Sequence, residues 1–509
     1  MSIARVACRG QVGLASPPVQ IEVYLGNGLP CFHIVGLLST EVKESRERVR
    51  AAISTTGFEL PAGRITVNLA PADLPKDGGR FDLAIALGIL VASGQLRPTR
   101  NLERIECFAE LGLSGELRAV RGALPAAAAA QAVGHDVIVA RDNAPELCHL
   151  VGAQVVVAST LQDVCDYLEG RRELTPARDS VSLRDESIVA RPMAALADVR
   201  GQSLGKRALE VAAAGEHSLL LMGPPGCGKS MLAARLPGLL PPLSPEEELE
   251  VAMIASITGG RLFVSSQGRV SRPFRSPHHG ASASAIIGGG AAARAGEITL
   301  AHRGVLFLDE LPEFDRRVLE ALREPLETGH ISVVRAEAAA DYPARFQLVA
   351  AMNPCPCGQR GSSHGLCRCS ESQIERYAAR LSGPLLDRID LRIALEAVSD
   401  ADLSDDSRAL READETAIRS RIRCALRQQH DRQACSNARL EGAQLAAFAE
   451  PDAAGRRLLA AMRSKLGLSM RGYDRTLRVA RTLADLDQKK CLGEEHLAEA
   501  FQLRRSLGA

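Results

Sequence analysis

The sequence predicts an α/β protein of several domains, because three hydrophobic patterns follow one another along the chain. Residues 1–174 mix short strand-like runs with glycine turns and helices. In residues 196–398 apolar strands alternate with helical segments, which is typical of a parallel sheet. Residues 399–509 carry amphipathic helical patterns instead. A chain of 509 residues also exceeds the size of one ordinary core.

The N-terminal region predicts a compact α/β domain. Its expected strands and helices lie at residues 19–25, 41–54, 65–69, 123–133, 137–139 and 155–158. Ser39 and Thr40 can cap the first of these helices. The pattern breaks in residues 175–195, where polar residues dominate and periodicity is lost, so we expect an interdomain linker there.

Composition is that of a soluble globular protein, with 46% apolar and 24% charged residues. No apolar run reaches the roughly 20 residues that a membrane span needs, and no secretory signal is visible. We therefore expect a cytoplasmic protein with no membrane partner. The net charge is +1 and aromatic residues total 3%, so any nucleic-acid contact must use a local basic patch rather than ring stacking.

The strongest motif is a phosphate-binding loop, which matches G-x-x-x-x-G-K-[ST] in full and lies between an apolar strand and a helix. Backbone N–H groups of such a loop face phosphates. Lys229 can reach the β- and γ-phosphates of ATP, and the Ser230 hydroxyl can bind Mg²⁺. The residues expected to contact the nucleotide are Gly223, Pro224, Pro225, Gly226, Cys227, Gly228, Lys229 and Ser230.

Further along the chain, polar residues that suit ATP hydrolysis follow two more apolar strands. Asp309 suits Mg²⁺ binding, and Glu310 can polarise the attacking water. The amide of Asn353 can orient the same water, although an Asn before a Pro is also common in ordinary turns. Arg388 lies in a charged run. Such an Arg is usually a surface ion pair, but in a P-loop motor it can stabilise transition-state charge across a subunit boundary.

Four of the 13 cysteines crowd into one short segment. They form two C-x-C pairs with nine residues between them: Cys355, Cys357, Cys367 and Cys369. Four thiolates match a closed tetrahedral zinc site, so we expect structural Zn²⁺ here. Because the spacing is tighter than that of the usual C-x-x-C knuckle, a reduced loop without metal is the alternative.

Two basic segments are candidates for gripping a polymer. The first is rich in Gly and Ser and carries Arg261, Arg269, Arg272, Arg275, His278, His279 and Arg294. The second, residues 417–439, has six Arg against one acid and is equally compatible with a solvated helix face. Flexible Gly with Arg suits phosphate contact without base readout. We therefore favour the first segment for DNA binding, through Arg272, Arg275, His278, His279 and Arg294.

These motifs, in this order, resemble the AAA+ ATPase superfamily, in particular its magnesium-chelatase-like branch and the ComM/YifB group of competence-related ATPases. The matching stretches are residues 201–215, 274–279, 296–305, 351–358, 471–475 and 479–486. The resemblance covers nearly the whole chain. It implies an AAA+ P-loop core with a parallel sheet at residues 196–398 and a helical lid domain at residues 399–509.

The resemblance also implies a ring-shaped homo-hexamer that binds ATP and Mg²⁺ at its subunit interfaces. Arg388 then corresponds to the arginine finger given to the neighbouring subunit. Arg471 corresponds to the second sensor, which contacts nucleotide from the lid, with Arg475 as the alternative. Gln202 lies where the family's adenine-side loop runs.

Residues 1–174 resemble the Lon protease fold without its catalytic pair. Residues 75–78 are similar to the loop before that family's catalytic Ser, but the Ser position falls on Arg80. The position of the catalytic Lys falls on Leu124. Because a Ser–Lys dyad needs a hydroxyl and an amine, we expect no peptidase activity and a domain that stabilises the ring or docks a partner.

The resemblance implies a DNA translocase or helicase that drives branch migration in homologous recombination during natural transformation, with DNA and other recombination proteins as partners. One alternative is an ATP-dependent protein-remodelling chaperone, which the Lon-like domain would suit. Another is the motor subunit of a magnesium chelatase. In the family, the region of the first basic segment holds loops that face the central pore, and basic rather than aromatic residues there favour DNA over polypeptide. The N-terminal domain and the cysteine cluster favour the competence group over the chelatase.

Overall fold

The computed structural model describes residues 2–36, 40–148, 150, 154–180, 188–190, 194–260, 262–264, 269–290, 293–334, 339–360, 367–398, 408–466 and 469–504. Their buried side chains form three large hydrophobic clusters. One fills the N-terminal domain, and the other two lie on opposite faces of the sheet in the central domain. The α/β organisation predicted from the sequence is thereby confirmed.

The N-terminal domain is a mixed eight-stranded sheet in the order β10-β9-β8-β5-β1-β2-β4-β3. Its elements are β1 (Ser2–Arg9), β2 (Pro18–Gly26), β3 (Cys31–Val35), α1 (Thr40–Thr55), β4 (Arg64–Ala70), α2 (Asp82–Ala92), β5 (Ile105–Phe108), β6 (Glu110–Leu111), β7 (Leu117–Arg118), α3 (Ala123–Ala132), β8 (Asp136–Ala140), α4 (Ala144–Leu147), β9 (Val155–Ala158), α5 (Leu161–Leu168), β10 (Thr175–Pro176) and α6 (Ala177–Ser180). The predicted helix cap Ser39 lies outside the described residues. Helix α2 is buried on nearly every side, which explains its uninterrupted apolar sequence.

The sheet of this domain extends into the segment predicted to be a linker. Strand β10 pairs antiparallel with β9, and Ala177 in α6 is buried in the same core. Residues 175–180 therefore belong to the N-terminal domain, because backbone pairing ties them to the sheet although their sequence is polar. Residues 181–187 and 191–193 lie outside the described residues.

The central domain is built on a five-stranded sheet in the order β14-β17-β20-β12-β21. Its elements are β11 (Ile188–Ala190), α7 (Ser203–Gly215), β12 (Leu219–Met222), α8 (Lys229–Ala233), α9 (Leu236–Leu239), α10 (Pro245–Thr258), β13 (Leu262–Val264), β14 (Phe274–Arg275), α11 (Ala283–Ile287), β15 (Gly288–Gly289), β16 (Arg294–Ala295), α12 (Glu297–Leu300), β17 (Val305–Leu308), α13 (Arg316–Ala321), α14 (Arg323–Thr328), β18 (His330–Val334), β19 (Ala339–Pro343), β20 (Gln347–Met352), α15 (Glu371–Ala378), α16 (Gly383–Leu386) and β21 (Leu391–Ala394). All neighbouring strands of the five-stranded sheet pair in parallel. Alternate residues of β12 face opposite sides, so that Leu219 and Leu221 join one cluster and Leu220 joins the other.

Helices make up the C-terminal part, as predicted. They are α17 (Arg408–Gln433), α18 (Gly442–Phe448), α19 (Ala453–Leu466), α20 (Met470–Leu486) and α21 (Glu494–Gln502). Both α17 and α20 pack on α7 of the central domain. Several arginines of the basic segment 417–439 bind acids of the protein itself, as Arg421 does with Glu210 and Arg432 does with Asp485. None of the helices in the described ranges has the length and apolar character needed to span a membrane.

The end of α10 joins the central domain to the N-terminal domain. The N–H of Gly122 donates to the Ser256 carbonyl at 3.0 Å, and the N–H of Leu124 donates to Ser256 Oγ at 3.3 Å. Helix α3 has no side-chain cap of its own, so Ser256 satisfies two N–H groups at its first turn. Burial raises the pKa of Glu146, and hydrogen bonds from Ser256 and Asn143 partly oppose that shift. A residue of the central domain therefore caps a helix of the N-terminal domain.

We expect Ser256→Ala to lower the free energy of unfolding by about 1–2 kcal/mol, because it leaves the N–H of Leu124 without its side-chain acceptor and removes one of the two hydrogen bonds to the buried Glu146 carboxyl. Urea unfolding followed by circular dichroism measures this loss. Thr258→Ala is the matched control, since the Thr258 hydroxyl bonds only to carbonyls of its own helix. Equal stabilities of the two variants would contradict the interdomain cap.

Candidate nucleotide and metal sites

The phosphate loop leaves β12 and turns directly into α8. Gly226 and Gly228 have φ angles of 80° and 91°, a left-handed conformation that favours glycine. Lys229 is the first residue of α8, and its ammonium lies within the loop. It donates to the carbonyls of Gly223 at 2.7 Å and Pro224 at 2.9 Å. The loop therefore places a buried positive charge at a helix N-terminus, which is an environment for phosphate.

The ends of three parallel strands bring the other predicted hydrolysis residues to this loop. Ser230 Oγ donates to Asp309 Oδ2 at 2.7 Å, so the two expected Mg²⁺ ligands touch. Lys229 Nζ donates to Asn353 Oδ1 at 3.1 Å. Hydroxyl and carboxylate oxygens suit Mg²⁺, which usually keeps water and nucleotide phosphates as its remaining ligands. The residues present thus fit ATP with Mg²⁺.

Glu310 follows Asp309 in a left-handed conformation with φ of 54°, which turns the chain sharply after β17. Its carboxylate is half exposed and meets His279 Nδ1 at 3.0 Å. The His279 ring lies 4.1 Å from the His278 ring and edge-on to Phe314. The contact between Glu310 and His279 was missed in the sequence, where His279 suggested only polymer binding.

Gln202 borders the same loop from the start of α7. It has a φ of 52°, and its Nε2 donates to the carbonyls of Cys227 at 3.0 Å and Glu396 at 2.7 Å. These bonds join the segment before α7, the phosphate loop and the segment after β21. Gln202 is therefore placed to shape the nucleotide site without contacting phosphate itself.

At the opposite, amino-terminal edge of the sheet lies a cavity of about 700 Å³. It is bordered by Ser218 just before β12, by Gln347 at the start of β20 and by Asp390 just before β21. Arg388, Arg471 and Arg475 all line it, together with five further arginines. The four residues of β12, at about 3.3 Å each, separate this cavity from Lys229. Arg388 and Arg471 are therefore not brought to the phosphate loop of their own chain.

Within this cavity Arg388 is held by one acid and one carbonyl. Its side chain is only 5% exposed, pairs with Glu327 at 2.5 Å and donates to the Pro384 carbonyl at 2.8 Å. Arg475 pairs with Asp390 at 2.5 Å. Burial alone would raise the pKa of Asp390, but the Arg475 charge and a hydrogen bond from His217 lower it well below its usual range. The cavity thus holds eight arginines among six carboxylates, and Arg388 is a largely covered part of its wall.

The structure divides the predicted polymer-binding residues into two groups. Arg272 is largely buried and donates to the carbonyls of Pro241 and Arg303, each at 2.7 Å. Arg275 makes a bidentate pair with Glu297, both contacts being 2.6 Å. By contrast, His278 and Arg294 are exposed. Arg269 pairs with Glu248, and Arg261 lies outside the described residues.

The internal bonds of Arg272 and Arg275 argue against the expected contacts of these two residues with DNA. Their acidic and carbonyl partners come from segments more than 20 residues away in sequence, which the local pattern did not reveal.

The four clustered cysteines converge on one point. Cys355 Sγ lies 3.4 Å from Cys357 Sγ, and the Sγ atom of Cys367 lies 3.7 Å from each of these two. All four Sγ atoms, including that of Cys369, lie within 4.8 Å of one another. A tetrahedron with Zn–S bonds of about 2.3 Å has S–S edges of about 3.8 Å. The thiols therefore fit a zinc ion.

In the N-terminal domain, the positions matching the Lon catalytic pair carry no nucleophile. Arg80 is buried, and its guanidinium donates to the Gly10 carbonyl at 3.1 Å and to the Arg121 carbonyl. Leu124 is fully buried at the start of α3. The position of the catalytic pair is therefore occupied by the buried Arg80 side chain, and Ser256 of the central domain contacts the backbone of Leu124.

Three family models match the chain. They are "Magnesium chelatase, subunit ChlI" over residues 195–403, "Subunit ChlI of Mg-chelatase" over residues 21–143 and "Magnesium chelatase, subunit ChlI C-terminal" over residues 412–504. Protein YifB of Salmonella typhimurium is 47% identical over 504 residues, which cover 99% of this chain and 97% of the relative. Competence protein ComM of Haemophilus influenzae is 45% identical over 506 residues, which cover 99% and 98%.

The chain belongs to the ComM/YifB family of magnesium-chelatase-like proteins. Escherichia coli YifB, 46% identical with the same coverage as the Salmonella protein, extends this similarity. The model at residues 195–403 spans the phosphate loop and the strands that end just before Asp309 and Asn353. Membership of this AAA+-like family indicates an ATPase, in agreement with the residues gathered at the carboxyl edge of the sheet.

We expect Glu310→Gln to keep nucleotide binding and to reduce ATP hydrolysis by about 10²–10⁴-fold, because the amide cannot accept a proton from water. A phosphate-release assay beside titration with a fluorescent ATP analogue separates the two properties. Glu313→Gln is the matched control, since Glu313 is partly exposed and pairs with Arg380 at 2.6 Å. Hydrolysis by Glu310→Gln at the wild-type rate would assign the water-activating role to another residue.

Proposed function

We propose that the protein is a hexameric ATP-driven DNA translocase that promotes branch migration in homologous recombination during natural transformation. The observation that carries the proposal is the division of one domain into two complementary edges. One edge gathers Lys229, Ser230, Asp309 and Asn353, and the other holds Arg388 in the wall of the arginine-lined cavity. A relative named competence protein ComM supports DNA as the polymer.

At the nucleotide edge, each residue has a role that follows from its position. Lys229 and the loop N–H groups would bind phosphate, and Ser230 and Asp309 would supply oxygen ligands to Mg²⁺. Glu310 accepts a proton from the attacking water, and Asn353 orients that water. The pair between Glu310 and His279 must open or rotate for Glu310 to reach a water beside phosphate.

At the other edge, the arginine cavity suits the nucleotide of a neighbouring subunit. Arg388 is separated from its own phosphate loop by the sheet, so it can act on phosphate only if a second copy brings its loop to the cavity. Arg471 is exposed beside it and supplies further positive charge. In a closed ring, each subunit presents its phosphate loop to one neighbour and its arginine cavity to the other, so every interface holds a complete site.

Exposed residues of the segment between α10 and β17 contact the polymer. Arg294 stands on the short hairpin β15–β16, and His278 lies before α11 at the other end of the same segment. Guanidinium and imidazole groups suit phosphates of either DNA strand without base readout. A polypeptide substrate, as in a remodelling chaperone, is the competing outcome of the experiment below.

The decisive experiment measures ATP-dependent conversion of a labelled four-way DNA junction by the full-length protein. We expect conversion by the wild type and none by Lys229→Ala, because the variant lacks the phosphate-binding ammonium. Lys490→Ala, in which an exposed lysine is removed, serves as the control and should convert the junction normally. ATP hydrolysis that is indifferent to DNA, with no conversion, would favour protein remodelling or a chelatase motor.

Mixing two inactive variants tests the shared site. We expect Lys229→Ala and Arg388→Ala each to lose at least about 100-fold in ATP hydrolysis alone, since an arginine finger contributes about 10³-fold or more. In a mixed ring, an Arg388 from one subunit meets an intact phosphate loop of the other, so phosphate release should partly recover. Absence of recovery, with mixed assembly shown by a tag on one variant, would contradict action across a boundary.

A further inference from the structure

The cysteine cluster lies against the phosphate loop. Gly358 directly follows Cys357 and has a φ of 77°, and its N–H donates to the Cys355 carbonyl at 2.9 Å. A Cβ atom on Gly358 would lie 2.9 Å from Cγ and Cδ of Pro225 in the loop. Only a residue without a side chain permits this approach, because real Cβ atoms are essentially never so close.

A second contact links the same segment to the loop. Asn353 stands two residues before Cys355 and accepts from Lys229 Nζ at 3.1 Å. The short chain from Asn353 to Gly358 therefore touches the phosphate loop at both ends, through Lys229 and through Pro225. Any rearrangement of this chain moves an amide that contacts the phosphate-binding lysine.

The other two thiols come from the segment that starts α15. Ser370 caps that helix through the N–H of Gln373, immediately after Cys369. A metal bound by all four thiols would join the end of β20 to the start of α15. Four cysteine ligands select a soft ion such as Zn²⁺, whereas the nucleotide's Mg²⁺ needs oxygen.

We propose that the four-cysteine site is a structural zinc centre that braces the phosphate loop, so that metal occupancy sets the affinity for nucleotide. The inference rests on the proposed ATP site and adds to it a second metal with a positioning role. Zinc at this centre keeps Asn353 and Gly358 against the loop. Its removal frees the segment and leaves Pro225 and Lys229 without support from that side.

The test uses the full-length protein and two readouts, zinc content by atomic absorption and affinity for a fluorescent ATP analogue. We expect about one zinc per chain. Stripping it with a chelator should weaken nucleotide binding about tenfold, and adding zinc back should restore it. Gly358→Ala should keep the zinc and still weaken binding about tenfold, because its methyl group pushes Pro225 away.

Gly94→Ala is the matched control, since Gly94 has a φ of 76° but open space around its Cβ position. It should leave both zinc content and nucleotide affinity unchanged. Equal affinity of stripped, reloaded and Gly358→Ala protein would overturn the brace, as would purified protein that binds nucleotide tightly and takes up no zinc. Lys229→Ala separates this failure from that of the ATP site: only if Lys229→Ala also binds like the wild type is the nucleotide site itself misplaced.

Discussion

Strand β20 pairs in parallel with β12 on one side and with β17 on the other. Both edges of the central domain depend on this pairing. Met222 lies beside Met352, and Leu308 lies beside Ala350, so three strands end at almost the same level. The residues that follow them must then meet, and Lys229, Asp309 and Asn353 do. Parallel pairing also brings the residues before each strand together at the amino-terminal edge of the sheet. Ser218 and Asp390 lie there and border the arginine cavity.

This arrangement keeps Arg388 away from the phosphate loop of its own chain. The four residues of β12, at about 3.3 Å each, separate the two edges by more than an arginine side chain extends. Ion pairs with Glu327 and Asp390 hold the arginines of the cavity in order, which lowers the entropy lost when they meet an anion. Under the proposed function, a second copy of the chain would bring its phosphate loop to these arginines.

The sequence predicts which residues lie together where a simple rule relates their positions along the chain to their positions in space. Strand ends in a parallel sheet share an edge, which was enough to bring Asp309 and Asn353 to Lys229, and four close thiols were enough to bring the cysteines together. Such prediction failed where the deciding partner is distant in sequence. Arg275 was expected to meet DNA, but Glu297 binds it, and no pattern within the segment announces that partner. Likewise, Ser256 caps a helix more than 120 residues before it, which only the packed structure reveals.

The contact between His279 and Glu310 would link the proposed polymer binding to ATP hydrolysis. His279 is followed by α11 and then by the hairpin that carries Arg294, and its neighbour His278 is exposed. A strand of phosphates drawn toward Arg294 and His278 would pull on the same short segment whose imidazole holds the Glu310 carboxylate. Under the proposed function, polymer contact would act on the same contact between His279 and Glu310 that must open before the carboxylate reaches water. Coupling of this kind needs no long pathway through the domain.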